Sequence, residues 1–160
     1  MGERRAVRAL MVDRDGAVLL MRVTEPASRT RWWITPGGGI DAGEDDMAAL
    51  QRELREEIGL ELPAVRVGPA VWRRRVDLQW NGQSVHQHET YYLVESERFE
   101  PTVCRDGDPD VGWHDAIPRW WTPAEMRGSR DDRFAPADLA DLLDDLVRVG
   151  APAEPVDISR

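Results

Sequence analysis

Residues 38–60 read GGIDAGEDDMAALQRELREEIGL. Asp45 or Asp46 can accept a hydrogen bond at the start of a helix, and Gly59 is a typical C-terminal stop, so this stretch predicts a helix that runs to about Ile58. Apolar residues recur every three or four positions along it. They form one core-facing stripe of Met47, Leu50, Leu54 and Ile58.

Three glutamates lie together on an arc beside that stripe. Glu53 precedes Glu56 by three positions and Glu57 by four, so the three side chains are neighbours on a helix. Several carboxylates beside a glycine-rich loop with free carbonyls favour a hard divalent cation, and Mg²⁺ suits a substrate that brings phosphate oxygens of its own. Taken alone, an acidic run of this kind is more often a solvated helix face.

The complete spacing resembles the signature of the Nudix hydrolase family, Gly-x5-Glu-x7-Arg-Glu-U-x-Glu-Glu-x-Gly-U, in which U is aliphatic. The fixed positions are filled by Gly38, Glu44, Arg52, Glu53, Glu56, Glu57 and Gly59, and the aliphatic ones by Leu54 and Leu60. Trp33 with Pro36-Gly37-Gly38, and Arg119-Trp120-Trp121-Thr122, resemble the family's lead-in and its late aromatic strand. Thr35 departs from the leucine that the family often has at this position.

The resemblance implies a chain of mixed α/β structure (α+β type), an α/β/α sandwich with a mixed sheet and a catalytic loop–helix–loop. It also implies hydrolysis of a nucleoside diphosphate linked to a further group X, with Mg²⁺ or Mn²⁺ activating the attacking water. The implied metal ligands are the carboxylates of Glu53, Glu56 and Glu57 and the backbone carbonyl of Gly38 or Gly37. In the implied site Glu53 or Glu56 is also the candidate general base, Arg52 orients the carboxylates, and Glu44 braces the loop.

Four residues outside the signature are candidates for contact with the substrate: Trp33, Arg74, Glu89 and His114. Asn81-Gly82 predicts a hairpin turn that sets Arg74 opposite Glu89, so an ordinary ion pair between them is an equal alternative. In a strand, one member of the pair Trp32-Trp33 must face the core, and the same holds for Trp120-Trp121. A lone histidine such as His114 is more often structural.

The chain has the size of one domain, and we expect residues 1–160 to form it. Val7–Val12 and Ala17–Val23 are predicted strands, residues 136–149 a final amphipathic helix, and residues 150–160 a short tail. A formal net charge of −9 disfavours nucleic acid and anionic membranes as partners. No apolar run is long enough for a membrane span, and the single cysteine, Cys104, cannot form an intramolecular disulfide, so we expect a cytoplasmic protein.

Other functions are compatible with parts of the sequence. A catalytically silent nucleotide-sensing module would keep the fold, although the complete set of glutamates argues against it. An isomerase of isoprenyl diphosphates would need a cysteine beside the metal, where Cys104 is poorly placed. Processing of RNA 5′ ends fits the motif but conflicts with the charge. The nucleotide and X are not determined, because specificity lies in loops outside the signature, and a homodimer is an expectation from the family alone.

Overall fold

Among the described residues, nine strands form one mixed β-sheet and three helices lie against it. The computed structural model describes residues 2–61, 66–102 and 117–160. The strands are β1 Gly2–Val12, β2 Val18–Thr24, β3 Arg31–Ile34, β4 Gly37–Gly39, β5 Arg66–Trp80, β6 Gln83–Glu95, β7 Ile117–Trp121, β8 Phe134–Ala135 and β9 Val156–Asp157. The helices are α1 Asp46–Ile58, α2 Pro123–Gly128 and α3 Leu139–Val149. The expected α+β class with a mixed sheet is confirmed.

Parallel pairing between β1 and β6 joins the start of the chain to the central hairpin. The order across the sheet is β8-β3-β2-β1-β6-β5-β9, with β4 also paired to β1 and β7 to β2. β1 begins at Gly2 rather than at the predicted Val7, because its polar first residues pair with β6 from Val85 onward. On its other side β1 pairs with β4, where Arg8 stands opposite Gly37.

Alternate residues of β1 and β2 face opposite sides of the sheet. On one side they pack against α1, in a core that contains Val7, Ala9, Met11, Leu19, Met21, Ala49, Leu50, Leu54, Ile58 and Val94. On the other side they pack with α2 and α3, in a core that contains Leu10, Val18, Leu20, Trp33, Val71, Trp72, Tyr91, Trp121, Met126, Leu139, Leu143 and Ile158. Helices on both faces give the expected α/β/α layering.

Helix α1 has the boundaries that its sequence predicts. The Asp45 side chain accepts a hydrogen bond from the Ala48 N–H at 2.8 Å, and Gly59 ends the helix with a left-handed φ of 65°. Leu50, Leu54 and Ile58 are buried, whereas Met47 at the first turn is only partly buried against the same core. The apolar stripe therefore fixes the rotation of α1, and with it the side of the helix that carries the glutamates.

The hairpin between β5 and β6 has the predicted register. Asn81 and Gly82 take positive φ values of 49° and 73°, which suit a tight hairpin turn. Arg74 consequently stands opposite Glu89, as expected. β5 begins as early as Arg66, because its first residues continue to pair with β6 across register shifts.

The C-terminal residues differ from their prediction. α3 begins at Leu139, later than predicted, because Phe134 and Ala135 are still extended and pair with β3. The short tail after α3 packs on the domain: β9 pairs with β5, and Ile158 is buried in the core shared with α3. No helix of the described ranges is both long and apolar enough to span a membrane.

Replacement of the Ile158 side chain by alanine tests whether these last residues stabilise the fold. Ile158 is 5% exposed, so Ile158→Ala should lower the free energy of unfolding by about 2–5 kcal/mol through lost burial and a residual cavity. Val147→Ala is the control, since Val147 is 70% exposed on α3 and should change stability by less than about 0.5 kcal/mol. Urea unfolding followed by circular dichroism measures both. Equal effects of the two substitutions would contradict a structural role for Ile158.

Candidate active site

Glu57, on α1, is half-buried against the glycine strand β4. Its Oε2 accepts a hydrogen bond from the Gly37 N–H at 3.0 Å, while its buried Oε1 has no hydrogen-bond partner among the described residues. Burial, together with the nearby Glu53 carboxylate, raises the pKa of Glu57 well above its ordinary value, against the opposing effects of the Gly37 N–H and of Arg8. An unpartnered buried carboxylate oxygen is costly, so this atom calls for a cation or a proton.

Glycine at two positions of β4 lets this strand lie close to β1 on one side and to the glutamates on the other. Gly37 has a φ of 137°, and a Cβ placed there would lie 2.1 Å from the Val7 carbonyl oxygen. A Cβ at Gly38 would lie 2.5 Å from Oε1 of Glu53. The backbone of β4 therefore faces the carboxylates directly, with no side chain between them.

Arg52 links the loop before α1 to the glutamates on the helix. Its guanidinium binds both carboxylate oxygens of Glu44, at 2.7 and 2.9 Å, and donates to the Gly39 carbonyl at 2.9 Å. It also donates to Glu53 at 2.9 Å and to Glu56 at 3.4 Å. The Arg52 hydrogen bonds, with help from the Asp41 N–H, lower the pKa of Glu44 to about 2. These contacts are the ones that an orienting role for Arg52 and a bracing role for Glu44 require.

The site fits a hard divalent cation by its donor chemistry. Glu53, Glu57 and the β4 backbone offer oxygen atoms only, as Mg²⁺ and Mn²⁺ prefer, and Oε1 of Glu57 is a ligand atom without another partner in the described ranges. Burial raises the pKa of Glu53, although Arg52 opposes the shift. The Glu56 side chain is 55% exposed and lies toward Arg52. Within the described ranges, no three acidic, histidine or cysteine side chains already converge as a complete ligand set.

A cavity of about 490 Å³ opens beside Gly38. Polar and charged side chains line it next to Gly38, namely Arg4, Arg8, Arg74, Gln87 and Glu89. Apolar and aromatic side chains line it toward the hairpin turn, namely Trp32, Ile34, Val76, Leu78 and Trp80. Its volume falls in the range of about 300–1,000 Å³ that small-molecule sites occupy.

The four residues predicted to contact the substrate do not all lie at the cavity in the structure. Arg74 and Glu89 both line the cavity, and they also form the alternative ion pair, at 3.2 Å. Trp33 is 4% exposed, packs edge-on against Trp121 and is not among the residues that line the cavity, so the structure does not bring it together with Arg74 and Glu89, and its substrate contact stays a prediction. Strand alternation turns its neighbour Trp32 to the cavity instead. His114 lies outside the described residues.

Several cavity residues were missed by the sequence analysis. Arg8 carried a signal, because a charged residue stood alone in the apolar run from Ala6 to Val12. Trp80 carried a weaker one, since it alternates with Arg74 along β5 and so shares its face. Arg4, which lies against Gly39, had no local signal that distinguished it from the other arginines.

Glu25 closes the far end of the cavity. Its Oε1 accepts hydrogen bonds from the Asn81 N–H at the hairpin turn, at 2.8 Å, and from the Ala27 N–H, at 3.1 Å. Its Oε2 accepts from the Ser28 N–H at 2.5 Å. Hydrogen bonds from Ser28, and then from Ala27 and Asn81, lower the pKa of Glu25 to about 2. One carboxylate thus ties the loop after β2 to the tip of the hairpin.

Comparisons with known proteins identify the family. The fold and the oxygen-donor site define a hydrolase of the class that the signature resembles, and a family model described as the NUDIX domain matches residues 2–144. The chain belongs to the Nudix hydrolase family, and it is an enzyme of that family.

Relatives and a solved structure agree with this assignment. A Mycobacterium tuberculosis protein, whose name proposes an 8-oxo-dGTP diphosphatase activity, is 33% identical over 134 residues, which cover 82% of each chain. The nucleoside triphosphatase NudI of Escherichia coli is 29% identical over 91 residues, 56% of this chain and 63% of NudI. The solution structure of the E. coli ORF135 protein superposes with a TM-score of 0.58 at 25% identity and covers 96% of each chain.

The pH dependence of stability tests the Glu25 contacts. The pKa of Glu25 is lowered from 4.5 to about 2 in the folded protein, so its ionised form stabilises the fold above the unfolded value, and this contribution disappears as the pH falls through the folded value. Glu25→Gln should therefore lower the melting temperature at neutral pH. The difference from wild type should shrink as the pH falls from 4.5 to about 2.

Thermal unfolding followed by circular dichroism across this range measures the difference. Glu97→Gln is the matched control, because the Glu97 side chain is 90% exposed and should change the melting temperature little at any pH. A Glu25→Gln effect that stays constant from neutral to acid pH would contradict the role given to the ionised carboxylate.

Proposed function

We propose that this chain is a metal-dependent pyrophosphohydrolase that cleaves the diphosphate bond of a nucleoside diphosphate linked to a further group X. The observation that carries the proposal is the buried, unpartnered Oε1 of Glu57, which lies beside a strand that also borders a ligand-sized cavity. A carboxylate oxygen kept free in this way is unfavourable for stability and useful to an enzyme that binds a cation there.

In this proposal Mg²⁺, with Mn²⁺ as a substitute, is held by Glu53, Glu56, Glu57 and the carbonyl of Gly38 or Gly37. When bound, the metal neutralises the diphosphate and lowers the pKa of the attacking water. Arg52 holds the Glu53 carboxylate at 2.9 Å and keeps it oriented. Glu53 or Glu56 accepts the proton of the attacking water as general base.

The two ends of the cavity suit the two ends of a nucleotide. The phosphates lie next to Gly38, where Arg4 and Arg74 supply positive charge and the guanidinium of Arg74 has donors beyond its single bond to Glu89. The base lies between the aromatic side chains toward the hairpin turn, of which Trp32 and Trp80 are the largest. This orientation sets the diphosphate at β4, whose Gly37 N–H binds the Glu57 carboxylate at 3.0 Å.

The names of two relatives support a nucleoside triphosphate as the first substrate class to test, with phosphate as X. One relative is named for an 8-oxo-dGTP diphosphatase and the other for a nucleoside triphosphatase. A small nucleotide also agrees with the net charge of −9, which opposes binding of nucleic acid. The cytoplasmic location and the homodimer remain predictions.

Glu57→Gln tests the metal ligand at the centre of the proposal. The variant should lose at least about 100-fold in kcat, near 3 kcal/mol, because a neutral amide is a poor ligand for Mg²⁺. Its melting temperature should not fall, since the substitution removes a buried charge. The measurement is release of nucleoside monophosphate and pyrophosphate from a panel of nucleoside triphosphates and diphosphate derivatives, with Mg²⁺ and with Mn²⁺.

Glu61→Gln is the control for that experiment, since Glu61 is exposed and pairs with Arg55 outside the site. It should keep the wild-type rate. A wild-type rate in Glu57→Gln would refute the metal-ligand role. If the wild type itself hydrolysed none of the panel but bound a nucleotide, the nucleotide-sensing module would replace the enzyme proposal.

Trp32→Ala tests the base end of the cavity. Stacking of one base on an aromatic side chain is worth about 1–3 kcal/mol, so KM for the hydrolysed nucleotide should rise about tenfold or more, with kcat changed much less. Trp32→Phe keeps an aromatic face and should retain most of the affinity. Steady-state kinetics with Mg²⁺ measures both variants. An unchanged KM in Trp32→Ala would exclude Trp32 from the base site.

A further inference from the structure

Arg8 is a buried cation in the wall of the cavity, on the strand next to β4. Its side chain is 10% exposed, and its Nε donates to Oε1 of Glu89 at 3.0 Å. Its Nη1 donates to two backbone carbonyls, those of Thr35 at 3.3 Å and of Gly37 at 3.2 Å. One planar guanidinium therefore joins the central hairpin to both ends of the short turn that leads into β4.

The Gly37 residue connects Arg8 to the metal site. Its carbonyl accepts from Arg8, and its N–H donates to Oε2 of Glu57 at 3.0 Å. β4 has only three residues, all glycine, so no side chain of its own anchors it. The position of the Gly37 N–H, and hence the orientation of the Glu57 carboxylate, depends on contacts that neighbouring strands supply, and Arg8 of β1 supplies two of them, to the carbonyls of Thr35 and Gly37.

Glu89 holds Arg8 in place from the other side. Its Oε1 also accepts from Gln87 at 2.8 Å, and its Oε2 accepts from Tyr91 at 2.8 Å and from Arg74 at 3.2 Å. Burial alone would raise the pKa of Glu89, but the charges of Arg8 and Arg74 and the hydrogen bonds from Tyr91 and Gln87 outweigh it and lower that pKa. Glu89 is therefore an ionised, fully engaged anchor rather than a free acid or base.

We propose that Arg8 is a positioning residue for the metal centre: anchored by Glu89, it holds the two peptide groups on either side of the one that carries the Gly37 N–H, and this N–H in turn orients Glu57 for the cation. The inference rests on the proposed function only in taking Glu57 as a metal ligand. Residues that hold metal ligands in place typically change metal affinity by about 10- to 100-fold when they are mutated. Arg8 acts in this way without touching the metal.

The proposal is testable because two possible roles of Arg8 predict opposite changes in cation affinity when Arg8 is replaced. A positive charge near a cation site weakens cation binding by repulsion, so removal of the charge alone would tighten it. Loss of positioning would weaken it. Arg8→Met removes the charge and leaves Glu89 paired with Arg74, so the buried cluster becomes neutral and the fold is expected to persist.

The experiment measures Mn²⁺ affinity by electron paramagnetic resonance of free Mn²⁺, without nucleotide, together with the melting temperature. The Mn²⁺ Kd should rise about tenfold or more in Arg8→Met and also in Arg8→Lys. The lysine variant keeps the charge but cannot span Glu89 and both carbonyls with one ammonium group. Arg75→Met is the matched control, because it loses the same charge from an exposed side chain, 72% accessible, and should bind Mn²⁺ as wild type does.

Unchanged or tighter Mn²⁺ binding in either folded Arg8 variant would overturn the inference, and if Arg8→Met fails to fold, Arg8→Lys decides. A wild type that binds no Mn²⁺ would overturn both the metal centre and the role of Arg8. A wild type that binds Mn²⁺ but hydrolyses no nucleotide would refute the proposed function alone. In that case the affinities still decide whether Arg8 positions the site.

Discussion

The site depends on the carboxylate of Glu57. One of its oxygens accepts a hydrogen bond from the Gly37 N–H, and the other is buried and has no hydrogen-bond partner among the described residues. Glu57 reaches this position because the apolar stripe of α1 fixes the rotation of the helix, and because Gly37 offers a backbone N–H with no side chain in the way. Burial makes the ionised form of Glu57 unfavourable. A proton or a divalent cation at Oε1 would offset that cost, and the proposed function assigns the cation.

The glycine strand β4 borders both the cavity and the glutamates of α1. Its residues border the cavity through Gly38 and contact the glutamates of α1 through Gly37 and Gly38. A side chain at Gly37 would clash with the backbone of β1, and one at Gly38 would displace the Glu53 carboxylate. The guanidiniums of Arg52 and Arg8 hold the two ends of this strand, through the carbonyls of Gly39 and Gly37. The geometry of the site thus rests on backbone contacts as much as on the acidic side chains.

Short sequence motifs predicted the elements whose geometry depends on residues close to them in the chain. The cap at Asp45, the stop at Gly59 and the Asn81-Gly82 turn each fix a neighbouring element, so α1 and the hairpin register agree with the structure. Alternation shows that one of Trp32 and Trp33 faces the core but not which one, because that depends on the side from which α3 packs. The burial of Ile158 depends on pairing between distant segments, which no local pattern encodes.

The contacts of Arg8 were unpredictable for the same reason. They exist because β1 pairs in parallel with β6 and antiparallel with β4, which brings Glu89 and Gly37 to the two sides of one arginine. The family signature identifies the glutamates and also Arg52, which binds the Gly39 carbonyl at one end of β4. It does not include Arg8, so the contact at the other end of β4 is the one for which a structure was needed.

Anomalous diffraction at the manganese edge, from crystals soaked in Mn²⁺, tests the central claim most directly. The account predicts an anomalous peak beside the Glu57 carboxylate and the backbone of β4, with Oε1 of Glu57 among the coordinating atoms. A map without a peak at Glu57, or with manganese bound only at surface carboxylates, would contradict it.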